Sequence, residues 1–211
     1  MSLARERNMS MRAIDKVALA ALAAASFVWT SSANATVMVE LPIEDMAVDC
    51  DAIVVASVER VGVRLHMRDG LMEPHTLSTL RVLSWIKGPG GDRVTIEEIG
   101  GELPGPDGQT FGMRIDGTPE YHTGDQVLVF LRRMPTGTYR TYGMVQGRFD
   151  IRRGVGGADD LVHRDTGAVA FARWAGGEMT VEEGGAGPVM RLSDFAEHLR
   201  RVLEQAGGRT L

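Results

Sequence analysis

Ile53-Val54-Val55-Ala56-Ser57-Val58-Glu59-Arg60-Val61-Gly62-Val63-Arg64-Leu65 changes phase in its middle. Val54, Ala56 and Val58 fall on one side of an extended strand, while Val61, Val63 and Leu65 fall on the other, because side chains alternate faces with a period of two. One core holds both sets only if an extra residue is inserted near Glu59 and Arg60, which is a β-bulge. Bulged, strongly coiled strands are a device of small barrels. Asp69-Gly70 then signals a turn into Thr76 to Ile86, where Leu77, Leu80, Val82, Leu83, Trp85 and Ile86 are apolar, and Lys87-Gly88-Pro89-Gly90-Gly91 closes that strand. Val94 and Ile96 share one side of the next strand, with Thr95 and Glu97 on the other. Further strands are expected over Val127 to Leu131, Tyr139 to Val145 and Arg148 to Ile151. Short strands with regular turn signals predict a mainly β fold, a small antiparallel barrel or sandwich. Its core would gather Val54, Val58, Val61, Val63, Val82, Ile96, Val127, Val129 and Leu131.

The flanks read differently. Pro42 ahead of Ile43, Met46 and Ala47 predicts a short N-terminal helix between Leu41 and Cys50 with proline in its first turn. After Arg153 glycines separate short apolar pieces, which reads as a looser extension over 154–190. The last segment, 191–211, places Phe195, Leu199, Val202, Leu203 and Ala206 at helical spacing behind Ser193 as N-cap, with one face turned to the barrel. The domain plan is thus a barrel over 36–153, the Gly-rich extension, and a terminal helix with its tail.

Residues 1–35 have the form of an export signal. Arg5, Arg7, Arg12 and Lys16 precede Val17 to Trp29, an apolar run interrupted only by Ser26, and Ala33 and Ala35 supply the small residues before a cut ahead of Thr36. The run is shorter than the roughly 20 apolar residues a membrane span needs, and no later segment approaches that length. Met9 or Met11 would serve as the start without changing the signal. N-terminal sequencing of secreted protein should therefore begin at Thr36; an intact Met1 on mature, membrane-extracted protein would remove the expectation. The protein is expected in a periplasm or outside the cell. Of 23 basic and 28 acidic residues, four and two lie in the first 35, which leaves a net charge of −7 for the remainder. The single cysteine, Cys50, excludes an internal disulfide and reads as a small buried residue.

Asp51 to Val58, then Val82 to Gly88 with its Trp85-Ile86-Lys87-Gly88 ending, then Val127-Leu128-Val129-Phe130-Leu131, resemble in their order a family of secreted bacterial proteins. Gly117-Thr118-Pro119-Glu120-Tyr121-His122-Thr123-Gly124-Asp125 ahead of the Val127 strand strengthens that resemblance. More distantly the same pieces resemble the netrin-like domain of tissue inhibitors of metalloproteinases. The resemblance covers Leu41 to Arg153 and implies a five-stranded barrel of the oligonucleotide/oligosaccharide-binding type. Those inhibitors press an N-terminal cysteine against the protease zinc and staple it with disulfides. Here the chain after the signal starts Thr36-Val37-Met38, so neither feature is present.

Catalytic chemistry is not legible. The five histidines, at 66, 75, 122, 163 and 198, form no i, i+4 pair and no His-Glu-x-x-His arrangement. His66, His75 and His122 form the one set that a fold might assemble around a metal, but their spacing does not call for it. No metal, cofactor or dependence of stability on zinc is expected. No serine lies in a Gly-x-Ser-x-Gly turn. Glu97 and Glu98 are adjacent, so on a strand they face opposite ways and cannot flank one bond; with Glu102 and Asp107 they read as a solvated acidic loop. The glycines from 100 to 108 lack the ending of a phosphate loop and read as a long hairpin connection.

Arg132, Arg133, Arg140, Arg148 and Arg152, interleaved with Tyr139 and Tyr142, form the candidate partner surface. Asp92 to Asp125 carries eight acids against two arginines and would orient the partner. Export and the negative charge argue against nucleic acid. The sequence reads as a noncatalytic binding protein with a protein or glycan partner. An inhibitor or accessory partner of a secreted metalloprotease is the alternative, and a hydrolase is third.

Overall fold

The structure, a computed structural model, describes residues 36–208 except 69, 106 and 157. The export signal, with Ala33 and Ala35, and Asp69 of the predicted turn lie outside the described residues. The fold is mainly β and is organised by one long hairpin. Strands β2 (Ala52–Arg68) and β3 (Leu71–Lys87) have 17 residues each and pair from Ile53 with Lys87 to Arg68 with Leu71. Gly70, at φ 81°, takes the left-handed conformation that a tight reversal requires. Val58 pairs with Leu80 and Arg60 with Thr79, so Glu59 is the inserted residue. The bulge predicted from the change of phase is present, and the register slips twice more, at Ile53/Val54 and Val55/Ala56.

Strand β4 (Arg93–Ile99) pairs with β3, and β7 (Gln126–Arg133) with the other side of β2. Beyond β7 follow β9 (Arg148–Arg152), β10 (Leu161–His163) and β13 (Met190–Arg191), and β8 (Tyr139–Thr141) lies beyond β4, so the sheet of eight reads β13-β10-β9-β7-β2-β3-β4-β8. Strand β8 pairs with β7 at three positions and meets β4 in a single parallel pair, Ile96 with Tyr139. This sheet is not a closed ring of continuous ladders. Strands β5 (Gly101–Pro104) and β6 (Thr110–Met113) form a separate hairpin out of the expected Gly-rich connection. A third sheet joins β1 (Thr36–Val39), parallel, to β11 (Val169–Ala175), which pairs with β12 (Glu178–Glu183).

Two cores lie on opposite faces of β2 and β7. Val54, Val58, Ile96, Val127, Val129 and Leu131 fill the first together with Ala52, Ala56, Leu80, Val94, Tyr121 and Tyr139. Val61 and Val82 pack against it, but Val63 is only half-buried and lines a cleft, so it leaves the predicted set. Ile53, Val55, Leu128, Phe130 and Phe149 form the second core under two helices, α1 (Ile43–Asp49) and α2 (Leu192–Gly207), which contribute Met46, Ala47, Phe195 and Leu199. Burial on both faces is why β2 and β7 carry unbroken apolar runs.

Several boundaries differ from expectation. Pro42 caps α1 from outside, and α2 starts at Leu192 with Arg191 at its N-cap, so Ser193 sits within the first turn and bonds Asp194. Strand β8 stops at Thr141 because Gly143 and Met144 take positive φ and lead into a 3-10 turn, Met144–Gly147. The Gly-rich segment is no loose appendage: β10 and β13 extend the main sheet, and β11 holds β1. Cys50 is buried as expected, with its thiol pushed up by burial.

Candidate functional site

The predicted arginine surface does not assemble as one open face. Tyr139 belongs to the first core. Arg132 stands opposite Arg140 and Arg133 opposite Tyr139 across β7 and β8, so the two adjacent arginines of β7 point to opposite faces. Arg132 lies over the Tyr142 ring at 4.5 Å and is 3.8 Å from Asp51. Arg140 approaches the buried Glu98 carboxylate at 3.8 Å. Arg148 is largely buried between Asp125 (3.1 Å) and Asp150 (2.7 Å), and Arg152 contacts His163 at 3.4 Å. Most of this charge is neutralised locally; charge patterning along the chain could not show that partners as distant in sequence as Asp51 and Glu98 would meet it.

Glu97 and Glu98 are not part of a solvated loop either. Both are buried on β4 and, as adjacent strand residues, face opposite ways. Glu98 lies beside Tyr121 at a cleft of about 390 Å³ that is also lined by Val61, Val63, Thr76, Gly101 and His122. Burial pushes the Glu98 carboxyl up, against the hydrogen bond donated by the Thr141 amide at 2.8 Å. Burial likewise raises the Tyr121 phenol, whose oxygen shares a 2.7 Å hydrogen bond with the Thr141 hydroxyl.

On the other face of the same strands, four titratable side chains converge. The residue inserted at Glu59 turns odd-numbered Val61 and Val63 toward the first core and even-numbered His66 away from it. His66 stands opposite Glu73, and Arg64 opposite His75, so His66, Glu73 and His75 share this outer face. Glu97, opposite Leu77, joins them from β4. The His66 and His75 rings stack with centroids 4.4 Å apart. His75 Nδ1 lies 2.8 Å from Glu97 Oε1, and His66 Nε2 lies 3.7 Å from the same oxygen. Thr138 donates to Glu97 Oε2 at 3.0 Å. Burial alone would raise the Glu97 carboxyl, but the hydrogen bonds from His75 and Thr138 and the two imidazoles hold it below its ordinary value.

The backbone around His75 is fixed from outside the hairpin. Gly100 donates its amide to Pro74 O at 2.8 Å and accepts from the Thr76 hydroxyl at 2.8 Å, in a parallel bridge with His75. Gly100 and Gly101 take φ of 106° and 139°, and a Cβ on Gly101 would stand 2.6 Å from Thr76 Oγ1. The glycines serve a close backbone approach and not only a turn. His122, the third histidine of the sequence-derived set, lines the cleft instead and is exposed.

No known protein family, curated protein or solved structure matches the chain.

A last surface was not anticipated. On the sheet of β1, β11 and β12, cross-strand register places Val39, Ala172 and Val181 in one row and Trp174 beside Met179, with Val37 on the same face. All the larger side chains are exposed, Trp174 by 75% and Val39 by 70%. The opposite face carries Met38, Val169 and Phe171, of which Val169 and Phe171 are buried. The signal was present as alternation in Val169 to Trp174, but it names the outward face only once the strand pairing is known.

Proposed function

We propose that the protein is an exported, noncatalytic interaction protein on a barrel of the oligonucleotide/oligosaccharide-binding type, and that it engages a protein partner through the outer face of β1, β11 and β12. The observation that carries this is the row of exposed Val39, Val181, Trp174 and Met179 in register. Contiguous exposed apolar surface marks interaction sites, and tryptophan is enriched among residues that dominate binding energy. Glu183, opposite Ala170, shares this face, and Glu178 lies exposed on the same edge strand, while Glu182 is paired with Arg173 at 3.1 Å; the fitting occupant is an apolar segment flanked by basic residues. The barrel reading draws on the pairing order β7-β2-β3-β4-β8 and the return of β8 to β7.

The alternative, inhibition of or accessory binding to a secreted metalloprotease, is favoured by one observation. The segment 36–40 is held without a disulfide, by β11, by Gln146 bonded to Val39 and Leu41, and by the Glu40–Arg173 ion pair at 2.6 Å.

Cross-linking in the native culture tests the proposal. A partner should be captured through β1 or β12, and Trp174→Ser with Met179→Ser should abolish capture without lowering thermal stability, whereas Arg132→Ala with Arg140→Ala should leave it intact. Capture unchanged by the first pair of substitutions would rule out this face. If the captured protein is a metalloprotease, its activity with and without the chain decides between the two readings.

A further inference from the structure

We propose that His66, His75 and Glu97 bind a divalent cation of the zinc class, with Glu73 as the orienting partner of His75. This inference is independent of the interaction reading. His66 Nε2, His75 Nδ1 and Glu97 Oε1 lie within 4.8 Å of one another. Zinc bonds to nitrogen and carboxylate oxygen are about 2.0–2.2 Å, so two ligands of one tetrahedral ion stand roughly 3.3 Å apart. The observed 2.8 and 3.7 Å to Glu97 bracket that spacing. Small rotations suffice, chiefly of the more exposed His66, whose ring is stacked on His75.

The proton on His75 gives a second, separate argument. Glu97 is a carboxylate and only accepts, so Nδ1 of His75 carries the proton of their hydrogen bond. Nε2 of the same ring faces Glu73 Oε2 at 3.8 Å, too far for a hydrogen bond. Both atoms are buried and neither has a hydrogen-bond partner among the described residues. Buried polar atoms left unpartnered are unfavourable. A ring that ligates a cation through Nδ1 keeps its one proton on Nε2, which is the atom that faces Glu73. The resulting carboxylate–histidine–metal arrangement is the usual way a ligating ring is fixed in tautomer and orientation. Thr138 holds the far oxygen of Glu97, and the Gly100 bridge holds the strand of His75. Two imidazoles and one carboxylate leave a fourth position, toward the exposed side of His66, for water or another ligand.

The test uses protein expressed from the whole gene, stripped with a chelator and titrated with zinc alone. Calorimetry should show one ion per chain, and zinc should raise the melting temperature by mass action. His66→Ala removes an exposed ligand and should leave the fold intact. It is expected to weaken zinc more than Glu73→Gln, whose effect should fall in the roughly 10–100-fold range for loss of an orienting partner. Nitrogen-15 NMR of the His75 ring should show Nδ1 bound to the ion and the proton on Nε2 once zinc is added. His122→Ala should bind zinc unchanged. The proposal is overturned by the absence of stoichiometric binding, by equal affinity in His66→Ala, or by a His75 ring whose Nδ1 still carries a proton in the presence of zinc.

Discussion

Phe149→Ala is expected to cost about 3–5 kcal/mol of folding stability, the largest loss of any single truncation in the second core. Its ring is 1% exposed and lies between Phe130 at 5.7 Å and Phe195 at 5.0 Å. The three rings join β7, β9 and α2, so no one element can move in to fill the space without dragging another. Arg164 lies over the same ring, 5.6 Å from its centre, and would lose that contact as well. Urea denaturation of wild type and variant gives the difference. Phe111→Ala, at a largely exposed ring on β6, is the reference and should change stability by no more than about 0.5 kcal/mol. A Phe149→Ala loss as small as that of Phe111→Ala would mean that the helices are not anchored through this cluster.

That core shows how far the sequence could be read. The first core was legible because it is written in alternation: Val54, Val58, Val127, Val129 and Leu131 repeat every second residue, and the break at Glu59 marks its own bulge. The intervening Ile53, Val55, Leu128 and Phe130 carry the opposite information, that a second layer covers the same strands. Reading the apolar runs of β2 and β7 as two-sided burial would have placed both helices on one face. Strand pairs between distant segments were not legible. Nothing in Thr36 to Val39 says that it lies parallel to Val169 to Ala172, a contact made across more than 130 residues.

The candidate cation site was legible only in part, for a related reason. His66 and His75 stand in the sequence-derived set, but Glu97 does not, because helical spacing puts two ligands on one face within four residues whereas a sheet brings them together across its strands. Here His66 and Glu73 meet because the turn at Gly70 sets the register, and Glu97 arrives from a third strand. Adjacent carboxylates on a strand must diverge, and this did hold: Glu97 turns to the histidines and Glu98 to Tyr121 and Thr141. The error lay in treating both as solvated, since a strand flanked on each side by neighbours buries its polar residues along with its apolar ones.

Gln146→Ala is the second large effect, expected at about 2–4 kcal/mol, and it tests how the N-terminal segment is held. The side chain is fully buried and spans more than 100 residues of sequence: its amide nitrogen donates to Val39 O at 3.1 Å, and its oxygen accepts from the Leu41 amide at 2.9 Å. Truncation leaves one acceptor and one donor unmatched, each costing about 1–3 kcal/mol when water cannot replace the partner, and opens a cavity beneath β1. Hydrogen exchange should quicken along β1 and at its β11 partners first, since Gln146 is the side chain that clamps both sides of the link between β1 and α1. Gln146→Glu separates the two bonds. Its carboxylate still accepts from Leu41 but confronts the Val39 carbonyl, so the variant should be destabilised at neutral pH and recover as acid restores a donor. Gly147→Ala attacks the same turn from its other side, because a Cβ there would fall on the carbonyl oxygen of Tyr142. If Gln146→Ala leaves stability within about 0.5 kcal/mol and exchange along β1 unchanged, pairing with β11 alone holds the segment, and the turn at Met144–Gly147 is only a connection.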